Sequence, residues 1–198
     1  VYLRWSEGLK EKLQLTRTQE KELEEIGAAE STEASCTSQG ITVTVLQSIT
    51  DQNFSHLAFS VKGYSAETKE QPDFEQMIVK VDGKEVNASG SFRNFGEEDM
   101  PGYQKADGTM EYLMQIDSNE ENGLAVKKIQ VILENLGTVN KQAEFVSGVK
   151  GTWTLDWELA GTEKEEGLSV NQTIGDTDTV VKSIEITPLS LTIHYDMP

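Results

Sequence analysis

Three oxygen-bearing side chains lie at alternate positions of the acidic stretch DSNEENG, residues 117–123. Asp117, Asn119 and Glu121 have the residue types and the spacing that open a calcium-binding loop. Such a loop has glycine at its sixth position and a bidentate glutamate at its twelfth, whereas here the glycine is seventh and that glutamate is missing. A weak calcium site is therefore one hypothesis. A solvated acidic turn between two strands is the interpretation that the residues favour.

The residues that most often carry catalysis are scarce. His56 and His194 are the only histidines, and both alternate with apolar neighbours on strand-like segments, so we predict that they point to solvent. Cys36 has no histidine or basic run nearby to activate its thiol. The sequence signatures of serine hydrolases, nucleotide-binding loops and zinc proteases do not occur. We therefore predict no catalytic residues and no enzyme activity.

Two tryptophans could form a platform for sugar stacking. Trp153 and Trp157 alternate with charged residues in TWTLDWEL, however, and a stacking residue would have to face outward. Because alternation places the apolar set on the inner face of a strand, we predict that both rings lie in the core.

The charge of the chain excludes one class of partner. Its 34 acidic and 17 basic residues give a formal net charge of −17 at pH 7. Such a charge repels phosphate backbones and anionic lipid headgroups, so nucleic acid is not an expected partner. No apolar run reaches the roughly 18 residues of a membrane span.

The first part of the chain has helical patterns. Residues 2–13 carry one apolar stripe, and Thr16 with Gln19 fits a capping box for a second helix that ends at Gly27. We predict a helical segment over 1–27. Residues 28–40 have no apolar periodicity and the composition of a linker, which we predict them to be.

From residue 41 the apolar period changes to two, which predicts about eight short strands. Asp82 and Gly83 fit a hairpin turn. The alternation changes parity at Pro188, which favours a bulge or a switch between sheets there. The prediction is a mainly β chain: an immunoglobulin-like antiparallel β-sandwich over 41–198, preceded by the short N-terminal helical segment.

Several stretches together resemble one family, the domain of unknown function 4179. They are WSEGL with LQLTRTQEKELEEIG, then GITVTVLQSITDQNFSHLAFSVKGY, VDGKEV with SGSF, GTWTLDWEL and SIEITPLSLTIHY. The family resembles anti-sigma factors of Firmicutes, with a short cytoplasmic part, one transmembrane helix and an extracytoplasmic β domain. The resemblance implies that residues 1–27 are a juxtamembrane segment, and that an apolar run of about 20 residues precedes Val1 in the intact polypeptide. It assigns no catalytic or ligand residue.

Three functions stay open at this point. The first is an extracytoplasmic, non-catalytic sensing or interaction domain of a membrane-anchored, anti-sigma-factor-like regulator, monomeric, with an unknown cell-surface protein or glycan as partner. The alternative is a secreted or surface-attached adhesion or carbohydrate-binding module. An enzyme has only the abundance of carboxylates in its favour.

Overall fold

The structure is a computed structural model, and it describes residues 3–65, 70–95, 102–118, 123–163 and 165–197. Within these ranges two short helices precede thirteen strands, all paired antiparallel. The helices are α1 (Glu7–Leu13) and α2 (Arg17–Glu25). The strands are β1 (Ala29–Glu30), β2 (Ser35–Ser38), β3 (Ile41–Thr50), β4 (Phe54–Lys62), β5 (Gln71–Val81), β6 (Lys84–Val86), β7 (Ala88–Phe92), β8 (Met110–Asp117), β9 (Lys127–Val139), β10 (Phe145–Leu159), β11 (Glu166–Thr173), β12 (Val180–Ile186) and β13 (Leu191–Asp196).

Both helices begin at a hydroxyl side chain that caps the first turn. Ser6 Oγ accepts a hydrogen bond from the backbone N–H of Leu9. Thr16 Oγ1 accepts from the N–H of Gln19, whose side chain accepts in turn from the N–H of Thr16, so the predicted capping box is confirmed. The first helix is shorter than the predicted stripe because it starts only after its cap.

Two sheets pack face to face and enclose the main core. The first sheet has the order β1-β3-β4-β8-β7, with β2 also paired to β3, and the second has the order β10-β9-β5-β6. The largest fully buried side chains of the main core are those of Trp153, Tyr112 and Phe59. The predicted antiparallel β-sandwich after an N-terminal helical segment is confirmed. The hairpin turn at Asp82 and Gly83 is confirmed as well, with φ of 48° and 82°.

A second, smaller core lies on the other side of the first sheet. Both helices pack on that outer face, where Leu9 and Leu23 are buried against Ile49 and Ala58. We call this cluster the outer core. The first sheet is therefore covered on both faces, and the molecule has three layers: helices, first sheet and second sheet. In the described ranges, neither helix is long and apolar enough to cross a membrane.

Residues 28–40 differ from the predicted linker. Ala29 and Glu30 pair with one end of β3, and Ser35–Ser38 pair with its other end. Their side chains give no apolar alternation in the sequence, but a strand can join an edge through its backbone hydrogen bonds. The segment therefore completes the first sheet.

The end of the chain also differs from the prediction of a single sandwich over 41–198. Strands β11, β12 and β13 form a separate three-stranded sheet, which we call the C-terminal sheet. The main core extends only as far as Leu159. The sequence pattern did not distinguish the strands of the C-terminal sheet from those of the sandwich, because both alternate in the same way.

Pro188 lies in the turn between the last two strands, and neither a bulge nor a switch of sheets occurs there. Ile186 pairs directly with Leu191, and the turn is closed by Thr187 N–H donating to Ser190 O at 2.9 Å. The parity changes because Ile186 and Leu191, which flank the turn and pair directly, have an even and an odd residue number. A proline is tolerated here because the position needs no ladder hydrogen bond.

Candidate functional site

Of the three residues singled out as a possible calcium site, the structure describes Asp117. Asp117 ends β8, and its Oδ1 accepts a 2.8 Å hydrogen bond from the Gln115 side chain. Asn119 and Glu121 lie outside the described residues. Among the residues that are described, no three His, Cys, Asp or Glu side chains converge in a way that could hold a metal ion.

The two histidines have different surroundings, and the prediction for His56 was wrong. The residue is 6% exposed, because the helices cover the outer face of the first sheet on which it lies. Burial, together with the nearby Lys12 ammonium, lowers the pKa of His56 to about 4. His194 is exposed on the polar face of the C-terminal sheet and pairs with Glu185 at 3.0 Å.

The remaining residues singled out from the sequence belong to the main core or pack against it. Cys36 lies on β2, half-buried against the main core. Trp153 is fully buried, as predicted, and its Nε1–H donates to the backbone oxygen of Ile41 at 2.9 Å. Trp157 is half-buried and meets the ring of Phe59 edge-on at 6.2 Å between centroids.

A buried carboxylate joins the N-terminal helix to the sandwich. Glu111, on β8, points to the outer face of the first sheet, where its side chain is 2% exposed. Its Oε1 accepts a 2.7 Å hydrogen bond from the hydroxyl of Ser6, and the Ser6 N–H donates to Gln47 Oε1, also at 2.7 Å. Gly8 permits this approach, since a Cβ at that position would lie 2.3 Å from Glu111 Oε1.

Two cations neutralise this carboxylate. Lys105 Nζ lies 3.2 Å and Arg93 Nη1 3.7 Å from Glu111 Oε2. Arg93 also contacts Glu11 of α1, and both cations lie over the ring of Phe95. The charge of Glu111 is thus paired from two sides while its other oxygen holds the start of the helix. We call Ser6, Gln47, Arg93, Lys105 and Glu111 the helix anchor.

An open groove lies beside the helix anchor, with a volume of about 790 Å³. Its walls combine the indole of Trp5 with carboxylates and hydroxyl groups, among them Glu7, Asp107 and Thr109. An aromatic ring beside carboxylates and hydroxyls can stack on and hydrogen-bond a sugar. Arg4 and Lys105 also line the groove, so its walls offer donors and acceptors to a polar ligand.

The helix anchor was missed in the analysis of the sequence. Ser6 and Glu111 are 105 residues apart, and neither belongs to a motif. The alternation of β8 places Met110 and Tyr112 inward and Glu111 outward, where an acidic side chain ordinarily meets solvent. The sequence pattern therefore contains no sign that Glu111 is buried or which residues pair with it.

The turn that contains Pro188 attaches the C-terminal sheet to the rest of the molecule, because Leu189 packs against the outer core and polar groups bind beside it. Asp51, after β3, accepts with Oδ1 from the N–H groups of Asn53 and Phe54 and with Oδ2 from the N–H of Leu189. The Asn53 side chain donates to Ser190 Oγ at 3.2 Å. One buried carboxylate thus ties the β3–β4 turn to the turn that contains Pro188.

Comparison with solved structures shows a related fold. The chain is similar to a conserved domain protein from Bacillus anthracis, with a TM-score of 0.57 and 11% sequence identity. The match covers 84% of this chain and 54% of the other, so the chain spans about half the length of that neighbour. No protein-family model and no curated protein matches the sequence. At this identity the likeness shows the fold alone.

Proposed function

We propose that this chain is the extracytoplasmic, non-catalytic interaction domain of a membrane-anchored, anti-sigma-factor-like regulator. The observation that best supports the proposal is the helix anchor, which fixes the start of α1 to the middle of the sandwich. A domain that reports its state towards an N-terminal membrane segment needs a stiff connection at that point. A flexible tether would not transmit a conformational change of the sandwich to the membrane segment.

The packing of the helices makes this connection stiff. Leu9 and Leu23 are buried, Lys10 of α1 and Glu20 of α2 form an ion pair at 3.2 Å, and the buried Glu111 holds Ser6. Burying two leucine side chains contributes roughly 1.5–3 kcal/mol each. Movement at Ser6 therefore moves β8, and a ligand that shifts β8 also shifts the helices.

The surface charge supports a location beside, and not within, the lipid headgroups. The net charge of −17 repels anionic lipids, and neither helix has the basic polar face of a helix that lies on a membrane. A structured helical segment between an anchor and the sandwich would hold the acidic domain away from the bilayer.

The location can be tested in intact cells that express the full-length protein with a cysteine introduced into this domain. Ser147 is exposed on β10, so Ser147→Cys in a Cys36→Ser background gives this domain one accessible thiol, and Cys36→Ser alone is the control for labelling elsewhere in the polypeptide. We expect a membrane-impermeant maleimide to label it before the cells are opened. Labelling that occurs only after permeabilisation would overturn the proposed location, and failure of the full-length protein to bind any sigma factor would overturn the regulatory part.

The groove beside the helix anchor favours a second candidate, a carbohydrate-binding surface module. A glycan array probed with the wild-type chain tests it directly. We expect any hits of such a module to be lost in Trp5→Ala, provided that circular dichroism shows this variant folded. Hits that persist in the folded variant would place sugar binding outside the groove.

A further inference from the structure

The two faces of the C-terminal sheet carry different kinds of side chain, apolar on one and polar on the other. Directly paired residues of antiparallel strands project to the same face. The pairs Leu168 with Ile184 and Ile184 with Ile193 therefore form one apolar row across all three strands. Ile186 with Leu191 and Val181 with Tyr195 extend this face in both directions. We call these seven residues the apolar face; on β11, Glu166, paired with Ile186, and Gln172, paired with Val181, project to the same side at its two ends. The opposite face carries Ser169, Ser183, Glu185, Thr192 and His194.

The apolar face is open to solvent. Leu168 is 63% exposed, Leu191 60% and Tyr195 54%. With strands about 4.8 Å apart and a rise of about 3.3 Å per residue, the face measures roughly 14 by 20 Å. A contiguous apolar patch of roughly 300 Å² is as large as the largest patch of many monomers, and such patches are often functional.

The charges around the apolar face are acidic. Glu165 and Glu166 lie at one end, and Asp176 and Asp178 lie in the turn at the other. Across a groove of about 330 Å³, Glu22 of α2 adds a further carboxylate beside Glu166. Among the described residues of β11–β13, the cation is Lys182, and it is paired with Asp196 at 3.1 Å.

We propose that the apolar face binds a cationic amphipathic β-sheet segment of another polypeptide, whose Lys and Arg side chains meet the acidic rim. Charge complementarity selects this occupant, because a second copy would bring acidic rim against acidic rim. A face of roughly 300 Å² is also well below the about 800 Å² per partner of a standard interface, so it is too small for a stable dimer alone. An anionic membrane is repelled for the same reason of charge.

A sheet suits this face because the chain already packs such faces together. In the main core, Val43 and Val45 of the first sheet share one interior with Val131 and Leu133 of the second. Faces of branched aliphatic side chains at alternate positions interdigitate about 10 Å apart. The proposal deepens the interaction role proposed above by naming the surface and the class of partner. It is tested on the isolated chain, so its failure leaves the labelling test in cells unaffected.

Two synthetic β-hairpin peptides serve as probes. Both carry valine and isoleucine on one face, and they differ only in having lysine or glutamate at the flanking positions. Fluorescence anisotropy measures the binding of each labelled peptide at about 50 mM and 300 mM salt. We expect the lysine peptide to bind at least about tenfold more tightly than the glutamate peptide, with a smaller difference at high salt.

Matched variants locate the binding surface. We expect Ile193→Asp to weaken binding of the lysine peptide by about tenfold or more, and Ser169→Asp, which adds the same charge on the opposite face, to change it by less than about twofold. Leu168→Asp, on a different strand, repeats the test should Ile193→Asp fail to fold. Equal binding of the two peptides, or binding that persists in both aspartate variants of the apolar face, would overturn the proposal. Dimerisation of the wild-type chain that Ile193→Asp abolishes, measured by sedimentation velocity, would identify a second copy as the occupant and would also overturn it.

Discussion

Ser6 and Glu111 are 105 residues apart in the sequence, and the hydroxyl of Ser6 donates a 2.7 Å hydrogen bond to Glu111 Oε1. This contact closes the longest loop of the helix anchor and fixes where α1 begins. Because Glu111 is buried while Arg93 and Lys105 reach it from the solvent side, the carboxylate is held in place on both sides. The helical layer is consequently part of the folded domain.

Replacing the anchor carboxylate should destabilise the domain strongly. We expect Glu111→Gln to lower the free energy of unfolding by about 2 kcal/mol, because it leaves two cations and a buried hydroxyl without their charged partner. Denaturant titration followed by tryptophan fluorescence measures the change. The control is Glu11→Gln, which removes the other contact of Arg93; its side chain is 72% exposed, so we expect less than about 0.5 kcal/mol. Equal losses in both variants would contradict the role of Glu111.

Adding one methyl group to α1 should be harmful despite the helical preference of alanine. In Gly8→Ala the new Cβ would lie 2.3 Å from Glu111 Oε1, so the helix or the carboxylate must move. We expect a net destabilisation of about 1–2 kcal/mol, because overpacking outweighs the roughly 1 kcal/mol gained in helix propensity. Gly167→Ala on β11 is the control, since a Cβ there meets nothing within 4 Å. If Gly8→Ala were more stable than the wild type, the Glu111 side chain would be able to move aside at little cost.

Acid should weaken the domain through His56. Its pKa is about 4 in the folded chain and about 6.5 when unfolded, so the unfolded state binds the proton first as the pH falls. Stability from a neutral His56 is complete above pH 6.5 and is lost progressively down to pH 4, by roughly 3 kcal/mol. Lys12, Asp51 and Asp117 are the charged groups that face it.

The variant His56→Leu isolates this contribution, because every carboxylate is common to both proteins. We expect the difference in unfolding free energy between the variant and the wild type to grow between pH 6.5 and pH 4 in favour of the variant. Urea titrations at half-unit intervals of pH measure it. Parallel pH profiles would show that the ring is hydrated in solution.

The two core tryptophans should differ in their tolerance of phenylalanine. Trp153→Phe leaves the backbone oxygen of Ile41 without its indole donor, whereas Trp157 Nε1 makes no hydrogen bond to the described residues. We expect Trp153→Phe to reduce stability by about 1–2 kcal/mol more than Trp157→Phe. Thermal unfolding by calorimetry compares them. A larger loss in Trp157→Phe would contradict the importance of this hydrogen bond.

The sequence predicted those parts of the fold that depend on local patterns. The Thr16–Gln19 capping box, the turn at Asp82 and Gly83, and the inward position of Trp153 each follow from a few neighbouring residues. The strand β2 was not predicted, because SCTS joins the sheet through its backbone and leaves no pattern in its side chains.

Other features depend on which layers meet, and a strand pattern does not contain that information. His56 was predicted to be exposed because it lies opposite the main core, and only the docked helices show that this face is covered. The same limit applies to the C-terminal sheet, whose alternation is like that of the sandwich although its apolar side is uncovered. The partners of Glu111 could not be predicted because they come from three separate parts of the chain.

The contact between Asp51 and Leu189 has a consequence for how the molecule opens. Hydrogen exchange of backbone amides reports local unfolding units, and a unit is stabilised by what it buries against its neighbours. The described residues of the last three strands contribute nothing to the main core, and the turn at Leu189 holds them to the outer core and to Asp51. It should therefore open and close as its own cooperative unit, many times for each global unfolding event, so that a single free energy of unfolding describes the sandwich but not the last three strands.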